Sequence, residues 1–545
     1  MPLGGLGEIG QNMMALEYDD DIVVIDCGLL FPEENMPGVD LGIPDITYLV
    51  ENWDKVRAIL ITHGHEDHIG GLPFVLPELD VPVYASRFAH GLISAKLRER
   101  GLLRESRLNV VEPHSPFTLG CFLIEFFPVS HSIPDSFGIA VTTPIGTVIH
   151  TGDFKIDHTP AVGPPMDLAA IARLAGDDGA LLLCSDSTYA DLRGFTESEQ
   201  VVGDALEQII GDAPGRVIVA TFASLISRIQ QVIDAAVRHS RKVTVVGRSM
   251  SNNVKMATNM GYLDAPPDTL VSLNEARRLP NDRVIIMATG SQGEPTSALV
   301  RIANGSHRDI AVEPGDTVVI SATPIPGNEL TVAKTIDNLF RQGANVIYSR
   351  IATVHVHGHA SQEELKTMLS IVNPRFFMPV QGEYRHLMAH AAIAHSMGIP
   401  DENIFVLDDG DVLALTSDEG VVVDKVVAGS VFVDGRTFWD MDSSVFAERR
   451  RLARDGVVVV SATISAATGE VLTDPEVAAY GYVELNERLE LFQKTSKVAL
   501  TLLEDMGASA LTLDKARNRV RDSISKFLHK ETGRRPTVLT VIDYI

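Results

Sequence analysis

The chain has 545 residues, with 46 Lys+Arg against 72 Asp+Glu and a formal net charge of -26. At about 100–200 residues per domain this length spans three or four domains, and a composition of 45% hydrophobic and 22% charged residues excludes a mostly disordered chain. The acidity excludes a protein that coats nucleic acid over its whole surface, because phosphates are repelled at long range; an anionic substrate needs a local positive site.

From the N-terminus, Met1-Pro-Leu-Gly-Gly lacks the basic and apolar pattern of a signal peptide, and no apolar run reaches the roughly 18 residues of a membrane span. Cys27, Cys121 and Cys184 stand far apart, which points to neither a disulfide framework nor a thiolate zinc site. A soluble, cytoplasmic protein that engages no membrane is expected. Gly5-Leu6-Gly7-Glu8-Ile9-Gly10 matches G-x-G-x-x-G, with Asp26 near the place of a ribose-binding carboxylate. A dinucleotide site needs a helix after the glycines, however, whereas residues 13–27 read as two apolar strands around the acidic turn Asp19-Asp20-Asp21. A glycine-rich strand connection is the better reading.

Further on, apolar runs such as 58–62, 147–151, 217–221, 243–246, 284–287 and 318–321 alternate with helical stretches, the pattern of an α/β chain with functional loops at strand ends. His63-Gly64-His65-Glu66-Asp67-His68 follows one such strand. Three imidazoles and a carboxylate in so short a loop are good ligands for zinc and similar metals, and the spacing lets His63 and His65 face one centre while Asp67 and His68 face another. His131 and Asp153, each after a further strand, complete a candidate site, and a carboxylate bridging two cations about 3.5–4 Å apart is a usual way to hold an attacking water. Beyond about residue 423 come short strands and the basic run Glu448-Arg-Arg-Arg451. Val457–Val460, helical stretches over 485–504 and 513–530 and the run 538–542 then predict a small separate α/β domain.

Here the chain resembles the metallo-β-lactamase superfamily, whose H-x-H-x-D-H signature is matched by His63, His65, Asp67 and His68. The runs at 2–12, 185–188, 221–224, 247–250, 288–295, 321–328 and 355–360 resemble, in order, those of the ribonuclease J family of the β-CASP branch. The resemblance implies an αββα metallo-β-lactamase sandwich (1–195 and 349–422) interrupted by a β-CASP α/β domain (196–348), then a linker with short strands (423–450) and a C-terminal α/β domain (451–545) serving homodimer or homotetramer association. It implies a ribonuclease of RNA decay and maturation, degrading single-stranded RNA 5′→3′ from a 5′-monophosphate end, cutting internally as well, and working with partners of an RNA-decay complex. His63, His65, His131 and Asp153 would hold one Zn2+ and Asp67, His68 and Asp153 the other, with Mn2+ or Mg2+ as alternatives. Asp186 would support the metal-site histidines, and His359 would give a proton to the leaving oxygen. Arg228, Arg248, Ser249, Gly290, Ser291, His355 and His357 would line the RNA or phosphate path.

Several residues depart from the family pattern. Gln381 stands where a histidine, the last ligand of the second metal, is usual, and a carboxamide oxygen is a weaker ligand than imidazole. His357 replaces a usual Ser, Tyr189 a usual Asn, and Leu225 and Ser227 a usual Asn and His. Either the second metal is weakly held and activity reduced, as in an attenuated subunit partnering an active paralogue, or another group such as His357 compensates. A small-molecule metallo-hydrolase is a third reading, but it gives no reason for the insertion. The charge is also uneven: residues 1–57 hold 12 acidic and 2 basic side chains, while 515–535 hold 8 basic against 2 acidic. The second run reads as a solvated helix face rather than an RNA contact.

Overall fold

In the computed structural model the described residues are 1–32, 36–325, 328–435, 437–440, 444–482, 485–506 and 513–545, so Pro326 and Gly327 of the quoted 321–328 motif lie outside them. The chain divides into two compact units, Met1–Phe31 with Gly42–Val431, and Pro32–Leu41 with Phe432–Ile545.

Two six-stranded sheets form the centre of the first unit. In one, Met13–Tyr18 pairs antiparallel with Asp21–Ile25 as the hairpin pattern predicts, and Val56–Leu60, Val83–Ala85 and Leu108–Val110 follow in parallel. The other runs Phe376–Val380, Leu182–Asp186, Gly146–His150, Phe137–Thr143, Phe122–Pro128, Phe117–Leu119. Period-two alternation decides what each face buries. Val23, Ile25, Ala58 and Leu60 turn inward against Phe122, Ile124, Phe126 and Leu182, while Ile22, Val24 and Ile59 turn outward onto a helical layer that includes Val75 and Ile93. Phe127, Ile149, Leu183 and Phe377 do the same on the far side, against Ile171, Leu365, Met368 and Ile393. The result is the αββα sandwich.

Leu182–Asp186 and Phe376–Val380 are parallel neighbours in that second sheet, and the insertion lies between them. It holds a five-stranded, all-parallel sheet in the order Lys242–Val246, Val284–Ala288, Val217–Ala220, Thr317–Ile320, Asn345–Tyr348. Its strands are apolar on both faces because helices cover both: Val219, Ile285 and Val319 face one helical layer, Ile218, Ile286 and Val318 the other. Val423, where the stretch with short strands is expected to begin, lies in a hairpin of Asp411–Leu415 with Gly420–Lys425.

In the second unit, Val457–Ile464 lies between antiparallel Val471–Tyr480 and parallel Thr537–Tyr544. The helices Leu485–Met506 and Leu513–Thr532 cover one face, burying Val458, Val460, Ala499, Leu503, Val520 and Ile524, which is the small α/β domain the sequence predicts. No helix among the described residues is long and apolar enough to cross a membrane.

Candidate metal centre

Every candidate ligand follows the C-terminal end of a strand. His63 comes after Val56–Leu60, His131 after Phe122–Pro128, Asp153 after Gly146–His150 and Gln381 after Phe376–Val380, while Asp186 ends Leu182–Asp186. Past Thr62 the chain turns into the short helix Glu66–Ile69, which carries Asp67 and His68 back toward the sheet. That turn packs tightly on Gly28, where a Cβ would stand 1.7 Å from the Asp67 carbonyl oxygen. Gly152 (φ 57°) likewise makes the bend that presents Asp153, and a Cβ there would stand 2.6 Å from the Phe137 carbonyl oxygen.

Among the described residues the donor atoms converge in three groups that share Asp153, each with its atoms within 4.8 Å of one another: the two expected metal groups, His63, His65, His131 and Asp153 and then Asp67, His68 and Asp153, and a further one of Asp153, Asp186 and His359. In the first, His63 Nε2 lies 3.0 Å and His131 Nε2 3.1 Å from His65 Nδ1, and these two Nε2 atoms lie 3.5 and 3.6 Å from Asp153 Oδ2. Ligands bound at 2.0–2.1 Å around a tetrahedral zinc stand about 3.3 Å apart, so the spacing is that of a coordination shell. In the second group His68 Nε2 lies 3.4 Å from Asp153 Oδ1 and 3.5 Å from Asp67 Oδ2. Asp153 thus turns one oxygen to each of these two metal groups. Its Oδ1 is buried without a hydrogen bond, an arrangement a cation would complete.

Electrostatics agree with that fit. Burial, reinforced by the neighbouring imidazoles, holds His63 and His131 well below the ordinary histidine range, and burial brings His65 down to about 4, so all three present neutral lone pairs at pH 7. Burial opposes charge on His68 too, but Asp153, Asp67 and Asp26 outweigh it and raise its pKa: this half of the site favours positive charge. His131 donates from Nδ1 to the Gly358 carbonyl oxygen at 2.7 Å, which leaves Nε2 free to ligate.

Asp186 holds His359 rather than the metal-facing histidines. Its Oδ2 accepts from His359 Nδ1 at 2.7 Å, and its Oδ1 accepts from the Thr188 amide and hydroxyl at 3.0 and 2.7 Å. Burial lowers His359, but Asp186, and then Asp153 and Asp67, overcome it and lift the imidazole to about 9.

Four family models match the chain: the metallo-beta-lactamase superfamily over residues 6–219, the ribonuclease J beta-CASP domain over 214–339, a Zn-dependent metallo-hydrolase RNA specificity domain over 345–406 and the ribonuclease J C-terminal domain over 444–544. The chain is 42% identical to ribonuclease J 1 of Streptococcus pyogenes over 544 residues, covering 99% of this chain and 96% of that protein. The chain belongs to the ribonuclease J family. Against ribonuclease J of Thermus thermophilus the identity is 45% over 99% of this chain and 94% of the relative, and against ribonuclease J2 of Bacillus subtilis 40% over 99% and 97%. The fold also resembles, at TM-score 0.53 and 15% identity over 77% of this chain and 98% of the other, a protein of unknown function from Enterococcus faecalis V583.

As a ribonuclease J family member the chain carries a metallo-hydrolase domain whose His/Asp cluster is fitted for a metal cofactor. Two contributors escaped sequence reasoning. Asp26, which ends a strand in a left-handed conformation (φ 63°), accepts from the Thr62 amide and hydroxyl at 2.8 Å each and holds His68 Nδ1 at 2.8 Å. Asn12 donates from Nδ2 to the Asp67 carbonyl oxygen at 3.1 Å and lies 3.2 Å from His68 Nε2. The signals were a carboxylate closing an apolar strand and an amide in the first glycine-rich run. Gln381, also left-handed (φ 55°) and buried, brings its carboxamide to 3.5 Å from His68 Nε2, beside a cavity of about 20 Å3 that has room for one water.

The residues expected along the RNA path separate. Arg248 and Ser249 are exposed at the start of the helix Arg248–Met260, whereas Gly290 and Ser291 are buried. Arg228 is a correction. It is fully buried, paired with Glu199 at 2.6 Å and bonded to Gln231, Ser321 and the Val354 carbonyl oxygen, so it supports the β-CASP core and is closed off from a phosphate in the solvent. His355 adjoins that network and is lowered to about 3 by burial and by Arg228. His357 belongs to none of the donor groups, and its ring stacks on Tyr189. Leu225 and Ser227 are buried at the start of the helix Ile226–Arg238.

Proposed function

We propose that this protein is a two-zinc ribonuclease that degrades single-stranded RNA 5′→3′ from a 5′-monophosphate end in RNA decay and maturation, with endonuclease cleavage as a second mode. One observation carries the reading: Asp153 is shared between two donor groups, Oδ2 toward three neutral imidazoles and Oδ1 toward His68 and Asp67. Bound there, a pair of divalent cations would supply an attacking water activated near neutral pH and would offset charge on the phosphoryl oxygens. The chain's own residues do the rest. Asp67 and Asp153 orient the water. His359, positively charged because Asp186 holds its Nδ1, turns Nε2 to the leaving oxygen and protonates it. Arg248, with Ser249 at its helix start, pairs with a backbone phosphate. Capture through the cations and a few basic groups reconciles RNA as substrate with a net charge of -26. The family and the soluble composition support a cytoplasmic enzyme that associates through its C-terminal domain and works with partners of RNA decay.

Gln381 favours a second reading, an attenuated subunit beside an active paralogue. Zinc counting on the purified protein separates the two. Close to two zincs, with metal-dependent cleavage of 5′-monophosphorylated RNA, is expected; fewer than one tightly bound zinc and no cleavage would leave the attenuated subunit. Gln381→His raising both metal content and rate would support the attenuated subunit, and no gain would point to another group compensating at the second metal.

A further inference from the structure

Two departures from the family pattern meet in space. Tyr189, where Asn is usual, and His357, where Ser is usual, stack with centroids 4.1 Å apart and planes at 29°. Tyr189 also lies against His359, at 5.8 Å and 54°, and His359 in turn meets His131 at 5.0 Å and 67°. Asp186 grips His359 at one atom, Nδ1. One hydrogen bond fixes where an imidazole sits but leaves its tilt soft, because the second side-chain torsion of histidine is broad; ring contacts supply the missing restraint. Tyr189 is itself held in a tight turn, with the Ala190 amide donating to the Ser187 carbonyl at 2.9 Å and the Leu192 amide to the Tyr189 carbonyl at 3.0 Å.

We propose that Tyr189, backed by His357, is a positioning residue that sets the tilt of His359, a role that rests on the ribonuclease reading above. In that reaction the activated water forms a new P–O bond, the bond from phosphorus to the 3′ oxygen breaks, and the proton on His359 Nε2 passes to that oxygen. Tilt decides whether this nitrogen faces the leaving atom. The paired substitutions are self-consistent: neither an asparagine nor a serine side chain presents a ring face, and here two rings replace both.

The test compares two substrates on the zinc-loaded, full-length protein. Release of an RNA 3′ oxygen needs a proton, whereas the nitrophenolate of bis(p-nitrophenyl) phosphate departs without one. Tyr189→Ala is expected to lower kcat on RNA about ten-fold, a fraction of the 100-fold or more that general acid catalysis contributes, with KM within about two-fold. The aryl ester should slow less than about three-fold. Tyr189→Phe, which keeps the ring, should recover most of the RNA rate, and His357→Ser should give a smaller loss with the same substrate pattern. Equal losses on both substrates, or an undiminished RNA rate in Tyr189→Ala, would overturn the proposal. If Tyr189→Ala does not fold, Tyr189→Leu fills the space without a ring face and carries the same expectation. A wild-type protein inert toward both substrates would overturn the ribonuclease reading itself, and this role with it.

Discussion

Replacing Asp26 by Asn tests how the second metal position is built. Asp26 is buried, and its oxygens take three hydrogen bonds at 2.8 Å, from the Thr62 amide, the Thr62 hydroxyl and His68 Nδ1. Asparagine keeps the size and tolerates the left-handed backbone at this position. Its carbonyl oxygen can still accept from Thr62, but its NH2 then faces His68 Nδ1, which must become the acceptor. The ring proton moves to Nε2, the atom that faces Asp67 and Asp153. A protonated nitrogen cannot ligate, so binding must first return the ring to the opposing tautomer. Losing a hydrogen bond to a charged group costs about 1.5–3 kcal/mol, equivalent to about 10–100-fold in metal affinity. Zinc content after dialysis, with chelator competition for affinity, reads this directly. One of the two zincs should weaken by that factor while the one at His63, His65 and His131 stays. Two zincs as tight as in the wild type, or equal loss of both, would refute the reasoning.

Arg228→Met should destabilise the protein by about 3 kcal/mol in urea unfolding, the low end for a broken buried pair, because it leaves the buried Glu199 carboxylate with Lys155 alone, 3.6 Å away, and pairing it with Glu199→Gln should recover part of that loss. In the metal-free protein, the His359 pKa of about 9 lies above its ordinary 6.5. Its pairing with Asp186 therefore stabilises the fold fully below about pH 6.5, fades as pH rises and is gone above about pH 9, and a urea series across that range should lose this slope in Asp186→Asn. Arg248→Ala should weaken RNA binding irrespective of sequence and reduce the slope of log affinity against log salt by about one, as measured by salt titration.

The metal centre was legible in the sequence because its ligands announce themselves locally: four fall within six residues after an apolar strand, and His131 and Asp153 end strands of their own. The layers were legible for the same reason, since alternating or continuous apolar runs tell which strands are covered on one face or both. Residues that act through another residue were not. Asp26 and Asn12 reach His68 across 42 and 56 positions, and no local pattern records that approach. Arg228 shows the converse: beside functional motifs its charge read as a phosphate contact, yet its partner Glu199 lies in another helix, a pairing that only the folded chain reveals. Tyr189 and His357 looked like independent departures until their rings were found in contact.

The measurement that bears most directly on the account is degradation polarity. Purified protein loaded with zinc, given 5′-labelled RNA, should release labelled mononucleotide from a 5′-monophosphate end, lose that activity with chelator and with His63→Ala, and leave a 5′-triphosphate end largely intact. Release from the 3′ end, or cleavage that persists without metal, would contradict it.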